Sequence, residues 1–189
     1  MNVLVAGIGN IFLGDDAFGV EVVRRLATRQ LPEGMQVADF GIRGFDLAHA
    51  LMDADSTAVL VDATPRGGQP GTLYLIEASV DAGAPAIEPH GMDPASVLRL
   101  VHALGGRPPR VLVVGCEPST LDFDEDFGQM GLSPPVEAAV DEAVRLIESV
   151  VADLQAETPA ASAGPPGTIV GTPSGGETCL KNGSQGGIS

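Results

Sequence analysis

Val3-Leu4-Val5-Ala6-Gly7-Ile8-Gly9-Asn10-Ile11-Phe12-Leu13-Gly14-Asp15-Asp16-Ala17-Phe18-Gly19-Val20 is the stretch that decides the fold. Its aliphatic opening, Val3 to Ala6, predicts a short buried strand that stops at a glycine turn. Behind Asp15 and Asp16, the residues Val20, Val23, Leu26 and Ala27 recur at helical spacing. The two acids suit the positive end of a helix dipole. A strand, a loop and a helix in that order form the repeating unit of an α/β domain.

The rest of the chain continues the alternation. Gln36 to Phe40 reads as a second strand, Phe45 to Met52 as a short helix entered through Gly41-Ile42-Arg43-Gly44, and Ala58 to Val61 as a third strand ending at Asp62. After the turn Gly67-Gly68-Gln69-Pro70-Gly71, Thr72 to Glu77 alternates as a strand does, and its short connection predicts an antiparallel placement. A helix begins near Asp93-Pro94, with proline at an early helical position, and carries Val97, Leu98, Val101 and Leu104. Val111 to Val114 is a further buried strand before Gly115-Cys116-Glu117-Pro118. A last helix starts at Ser133-Pro134-Pro135 with an apolar stripe of Val140, Val144, Ile147 and Val151. These elements predict a three-layer α/β sandwich: a mostly parallel five-stranded sheet, mixed if Thr72 to Glu77 joins it, with helices on both faces.

A chain of 189 residues fits one domain with an appendage. The domain is predicted over 1–155. From 156 to 189 the chain is rich in Gly, Pro, Ser and Thr and loses periodicity, so a disordered tail is expected there. Aromatic residues make up only 4% and tryptophan is absent, which leaves Val, Ala, Leu and Ile to fill the core. The formal charge of −15 repels phosphate backbones, and no basic run offsets it, which argues against nucleic-acid binding. The same acidity would favour a cationic partner or metal ion, or would simply solvate the surface. No segment approaches the ~18 apolar residues of a membrane span. Two cysteines, and an N-terminus without the basic and apolar regions of a signal peptide, make a reducing cytoplasm the expected compartment.

In open α/β sheets, sites form beyond the carboxyl ends of the strands. Asp16 falls just past the first strand's loop, Asp62 ends the third strand, and His90 lies in the loop before the third helix. Two carboxylates and one imidazole can form a divalent-metal triad with open positions, although aspartate is equally a helix cap or turn residue. The Gly7-x-Gly9 pair invites a dinucleotide reading. Against it, Phe12 occupies the third glycine's place, and Asp15 and Asp16 would repel a pyrophosphate. Cys116 could be a nucleophile beside a histidine, but an apolar strand setting favours a structural thiol. His49 and His102, within predicted helices, read as surface or packing residues. The sequence contains neither a His-Glu-x-x-His zinc motif nor a Gly-x-Ser-x-Gly elbow.

At this point a family resemblance becomes specific. The opening stretch resembles the N-terminal signature of hydrogenase maturation proteases. Asp39-x-Gly41-x-x-Gly44, Val61-Asp62-Ala63, His90-Gly91-Met92-Asp93-Pro94, Gly115-Cys116-Glu117-Pro118 and Gly131-Leu132-Ser133-Pro134-Pro135-Val136 resemble further family segments in the same order, covering about residues 2 to 154. The resemblance implies an endopeptidase that removes the C-terminal extension from the precursor of a nickel-iron hydrogenase large subunit after nickel insertion. It places Asp16, Asp62 and His90 at the family's metal-ligand positions, Asp39 at a further acidic position near the cleft, and nickel, supplied by the substrate, as the recognised feature. Other divalent ions would fit the same donors. A site of two carboxylates and one imidazole, without a thiolate, holds a metal exchangeably, so nickel could be inspected without being stripped away. A metal-checkpoint protein that leaves the precursor uncut, and a nucleotide-binding domain, are the competing readings.

Deleting the chain from about residue 158 onward should leave folding and cleavage nearly unchanged. A denaturant titration checks this, and a loss of more than about 2 kcal/mol would show that the tail is docked.

Overall fold

The computed structural model describes residues 2–53, 57–78, 93–119 and 130–157. The sequence-predicted tail lies almost wholly outside them, as do His90 and the acidic run from Asp122 to Asp126.

Five strands, β1 (Val3–Ile8), β2 (Met35–Gly41), β3 (Thr57–Ala63), β4 (Leu73–Ala78) and β5 (Val111–Cys116), form one sheet in the order β2-β1-β3-β5-β4. The first four positions in that order run parallel, and β4 alone is antiparallel, against β5. The antiparallel expectation for β4 holds, but its partner arrives later in the chain. Burial explains the placement. Every residue of β3 and β5 is buried, so both strands must be interior, whereas β4 leaves Leu75 and Glu77 exposed and suits an edge.

Helices α1 (Phe18–Ala27) and α4 (Pro134–Glu157) cover one face, with Val5, Val59, Val61 and Val114 beneath them. Helices α2 (Gly44–Met52) and α3 (Pro94–Ala103) cover the other, over Ala6, Leu60 and Val113. Alternate strand residues thus feed two separate apolar layers, as the period of two requires. The predicted stripe of α4, Val140, Val144, Ile147 and Val151, is fully buried. Across the outer surface Arg25 pairs with Glu137 and Asp141, and Arg29 with Glu148, joining α1 to α4. Such exposed pairs contribute about 0–1 kcal/mol each, so burial dominates. Among the described residues, no helix is long and apolar enough to cross a membrane.

The start of α1 is set by close backbone contact. A Cβ on Gly19 would lie 2.0 Å from the Val61 carbonyl oxygen and 2.4 Å from that of Ile8, and a Cβ on Gly7 would lie 2.4 Å from the Gly19 oxygen. Gly9, at φ +125°, would place a Cβ 1.7 Å from the Asp16 oxygen. The glycines of the opening motif therefore let the helix press its first turn onto β1 and β3. No phosphate is needed to explain them.

Gly19→Ala should destabilise the protein by about 3 kcal/mol or more, since neither opposing carbonyl is a flexible side-chain end. Urea unfolding measures the loss, and a change under about 1 kcal/mol would show that the layers slide apart easily.

Candidate active site

Between β1 and α1 the chain makes a short 3-10 turn, Gly14–Ala17, which carries both acids of the opening motif. They do not sit on the dipole of α1 as the sequence suggested: α1 begins only at Phe18, and its first turn receives no side-chain cap. Asp15 turns inward instead. Its carboxylate accepts hydrogen bonds from Ser119 N (2.8 Å), Ser133 N (2.6 Å) and Ser133 Oγ (2.9 Å). One buried side chain thereby ties the loop after β1 to the end of the β5 loop and to the start of α4.

Asp16 points the other way. Its carboxylate accepts from the Asn10 backbone N–H at 2.7 Å, while the Asn10 side chain accepts from Phe12 N at 3.1 Å. The Gly9-Asn10 turn thus holds this half-buried group over the carboxyl end of β1. Asp62, only 6% exposed, stands at the end of β3 in register with Gly115. By alternation with Leu60 it lies on the α2–α3 side. Asp93 caps α3 from that side, accepting from Ser96 N at 3.0 Å, and Pro94 opens the helix as the sequence predicted.

The electrostatics of this group are unfavourable as it stands. Burial raises the Asp16 carboxyl above its ordinary value, against the lowering effect of the Asn10 N–H. Burial raises Asp62 much further, and the negative charges of Asp16 and Asp93 add to the shift while the Ala63 backbone N–H opposes it. Among the described residues, no Lys, Arg or His forms an ion pair with Asp16 or Asp62. Two desolvated carboxylates whose charges act on each other, without a counter-ion, suit a cation. The described residues hold no cluster of three ligand-type side chains. A complete metal triad therefore needs a member beyond them.

Asp39, near the end of β2, is in register with Gly7. It is half-buried, its carboxylate lies 3.6 Å from Arg24 of α1, and its backbone oxygen accepts from Arg43. Of the four acidic or imidazole residues singled out by sequence, Asp16 and Asp62 are brought together, Asp39 stands two strands from Asp62, and His90 lies outside the described residues. Cys116 is buried, and its thiol is pushed up to about 12 by burial and by the nearby charges of Asp15 and Glu117, as a structural cysteine requires. His49 and His102 lie exposed on α2 and α3, as predicted.

Glu117 escaped sequence reasoning. It is buried and accepts from Arg66 N (3.0 and 2.9 Å), Gly67 N (2.9 Å) and Tyr74 Oη (2.8 Å). Burial alone would raise its carboxyl. The hydrogen bonds from Tyr74 and the loop N–H groups outweigh this and lower it. The group fastens the loop that follows Asp62 to the end of β5. A glutamate directly after an apolar strand and before proline was the only signal the sequence offered.

A family model described as hydrogenase maturation protease matches residues 20–150. The chain belongs to the hydrogenase maturation protease family. It is 32% identical over 161 residues to the hydrogenase 2 maturation protease of Escherichia coli, covering 82% of this chain and 92% of that one. It is 34% identical over 156 residues to the hydrogenase expression/formation protein HoxM of Azotobacter vinelandii, covering 80% and 73%. Among solved structures, the hydrogenase maturating endopeptidase HybD from Escherichia coli superposes with a TM-score of 0.65 at 29% identity, over 81% of this chain and 93% of that one. The mixed five-stranded sheet and its four helices are the fold of these endopeptidases, and this protease is a hydrolase of the same kind.

A raised carboxyl in the folded state means that stability is present at low pH and lost as pH rises through the folded value. In metal-free protease, Asp62→Asn should therefore raise Tm at pH 7 to 8. The gain should shrink as the pH falls below the raised Asp62 value, because wild-type Asp62 is then protonated too. Calorimetry across pH checks this, and a lower Tm for the variant at pH 8 would contradict the electrostatic picture.

Proposed function

We propose that this protease removes the C-terminal extension of a nickel-iron hydrogenase large-subunit precursor after nickel has been inserted. On this reading Asp16, Asp62 and His90 meet the substrate's nickel ion, and Asp39 assists at the cleft as a nearby carboxylate. The observation that carries the reading is the desolvated Asp16–Asp62 pair, which has no cationic partner among the described residues. Such a pair is unfavourable alone and is relieved by a divalent ion arriving with the substrate.

The covalent chain supports the third member. His90 lies three residues before Asp93 in sequence, and the charge of Asp93 reaches Asp62. Hard oxygen donors and one imidazole, with Cys116 buried in the sheet, favour exchangeable contact with nickel over its capture. A soluble cytoplasmic setting fits this role, since metal insertion and processing would then share a compartment.

Asp62→Asn or His90→Ala should abolish processing while the fold stays intact, because each change removes a ligand and little core volume. Asp16→Glu should retain measurable activity, whereas Asp16→Ala should not. Cleavage is read as the mass shift of a nickel-loaded precursor beside a nickel-free control that should remain uncut. Equal processing of the nickel-free precursor, or wild-type rates for His90→Ala, would overturn the reading.

A further inference from the structure

Asp62, Gly115 and Tyr74 lie side by side across β3, β5 and β4. Residues in register share a face of the sheet, so Tyr74 stands on the α2–α3 side with Asp62. Ile76, on the same face of β4 as Tyr74, packs into the apolar layer of that side, which agrees with the alternation. Neighbouring strands are about 4.8 Å apart, which separates the Asp62 and Tyr74 backbones by about 10 Å. Gly115 carries no side chain between them. A Cβ there would meet Thr64 Oγ1 at 2.5 Å, so Thr64 occupies the gap.

The Arg66 guanidinium lies over the Tyr74 ring, 5.5 Å from its centroid. Glu117, only 4% exposed, fixes both residues, accepting from Arg66 N at 3.0 and 2.9 Å and from Tyr74 Oη at 2.8 Å. Gly67 N adds a further bond, and the guanidinium supplies none of them. Arg66 is therefore held by its backbone and by the ring it stacks on, while its side-chain N–H donors stay open at an exposed position. Arg24 and Arg43, which reach the same end of the sheet, pair with Glu21, Asp39 and Asp46. Arg66 pairs with no acid among the described residues. In a chain of formal charge −15, it is an uncompensated cation in the loop that directly follows Asp62.

We infer that Arg66 is a substrate-binding residue that takes a carboxylate of the precursor's C-terminal extension. The inference rests on the processing activity proposed above. On that reading the nickel-bearing body of the precursor meets Asp16 and Asp62, and the extension is the part left to run toward β4. An extended chain advances about 3.3–3.6 Å per residue, so about three residues span the distance from Asp62 to Tyr74. A guanidinium binds a carboxylate bidentately, and stacking on a ring face leaves its N–H edge free to do so. The acidic surface repels a carboxylate elsewhere, so the contact also fixes where the extension lies. Tyr74 and Glu117 are positioning residues in this scheme, acting through Arg66.

The test uses the full-length protease and its nickel-loaded precursor. Arg66→Gln should raise KM about five-fold or more at low salt and leave kcat within about two-fold, because the contact lies away from the bond being cut. The ratio of variant to wild-type KM should shrink toward one as salt is added, since screening weakens a contact between exposed charges. Arg66→Lys keeps the charge without the planar fork and should fall between the two. Circular dichroism should show each variant folded, as Arg66 is exposed. Two arms then identify the carboxylate. Acidic residues of the extension are replaced singly by Lys, and at one position this should raise the wild-type KM and be rescued at least several-fold by Arg66→Glu. If the chain terminus is the ligand instead, no exchange rescues, and glycines added to the precursor's end should raise the wild-type KM but not that of Arg66→Gln. A wild-type KM for Arg66→Gln, a KM ratio indifferent to salt, or failure of both arms overturns the inference. If wild-type protease leaves the natural nickel-loaded precursor uncut, the processing reading itself falls, and that result is distinct from a failure at Arg66, where cleavage persists.

Discussion

The close approach of α1 to the backbone of β1 and β3 is the constraint on which the site depends. Gly7, Gly9 and Gly19 remove three side chains at contacts where any Cβ would collide with main chain. The helix start is therefore held directly against the sheet backbone. Asp16 sits one turn before that contact, so its carboxylate inherits the precision of a backbone-to-backbone fit instead of the looseness of a surface loop.

A charge arrangement that opposes folding is then built on that frame. Asp62 is buried at a strand end with Asp16 and Asp93 near enough to disfavour its ionised form. The surrounding structure supplies the rigidity that keeps the pair in place. Asp15 accepts three hydrogen bonds and Glu117 four, whereas Asp16 accepts one from Asn10 and neither Asp16 nor Asp62 has a cationic partner among the described residues. That contrast separates the structural acids from those of the site better than their positions in sequence do.

Much of the fold is legible in the chain because its signals are local. Strands such as Val111 to Val114 are aliphatic runs, and Asp93-Pro94 and Ser133-Pro134 mark helix starts by the chemistry of their own few residues. The order of strands is less so. That β4 pairs with β5 follows from which strands are buried on both faces, a property of the whole sheet. The candidate site was legible only as residue types at strand ends, and of these Asp16 and Asp62 lie close enough for the charge of Asp16 to act on Asp62. The role of Asp15 was misread as dipole complementarity, because its partners Ser119 and Ser133 are more than 100 residues away. Nothing adjacent in sequence distinguishes it from Asp16. Glu117 was silent for the same reason, its donors lying in the loop after β3 and in β4.

The shared grip of Asp15 on Ser119 and Ser133 has an evolutionary consequence. Both ends of the intervening chain are held by one carboxylate, independently of what joins them. The entropy of closing a chain segment grows by only about 0.6 kcal/mol for each doubling of its length. The stretch between the two serines can therefore lengthen, shorten or change composition among descendants of this sequence while the frame around Asp16 stays where it is.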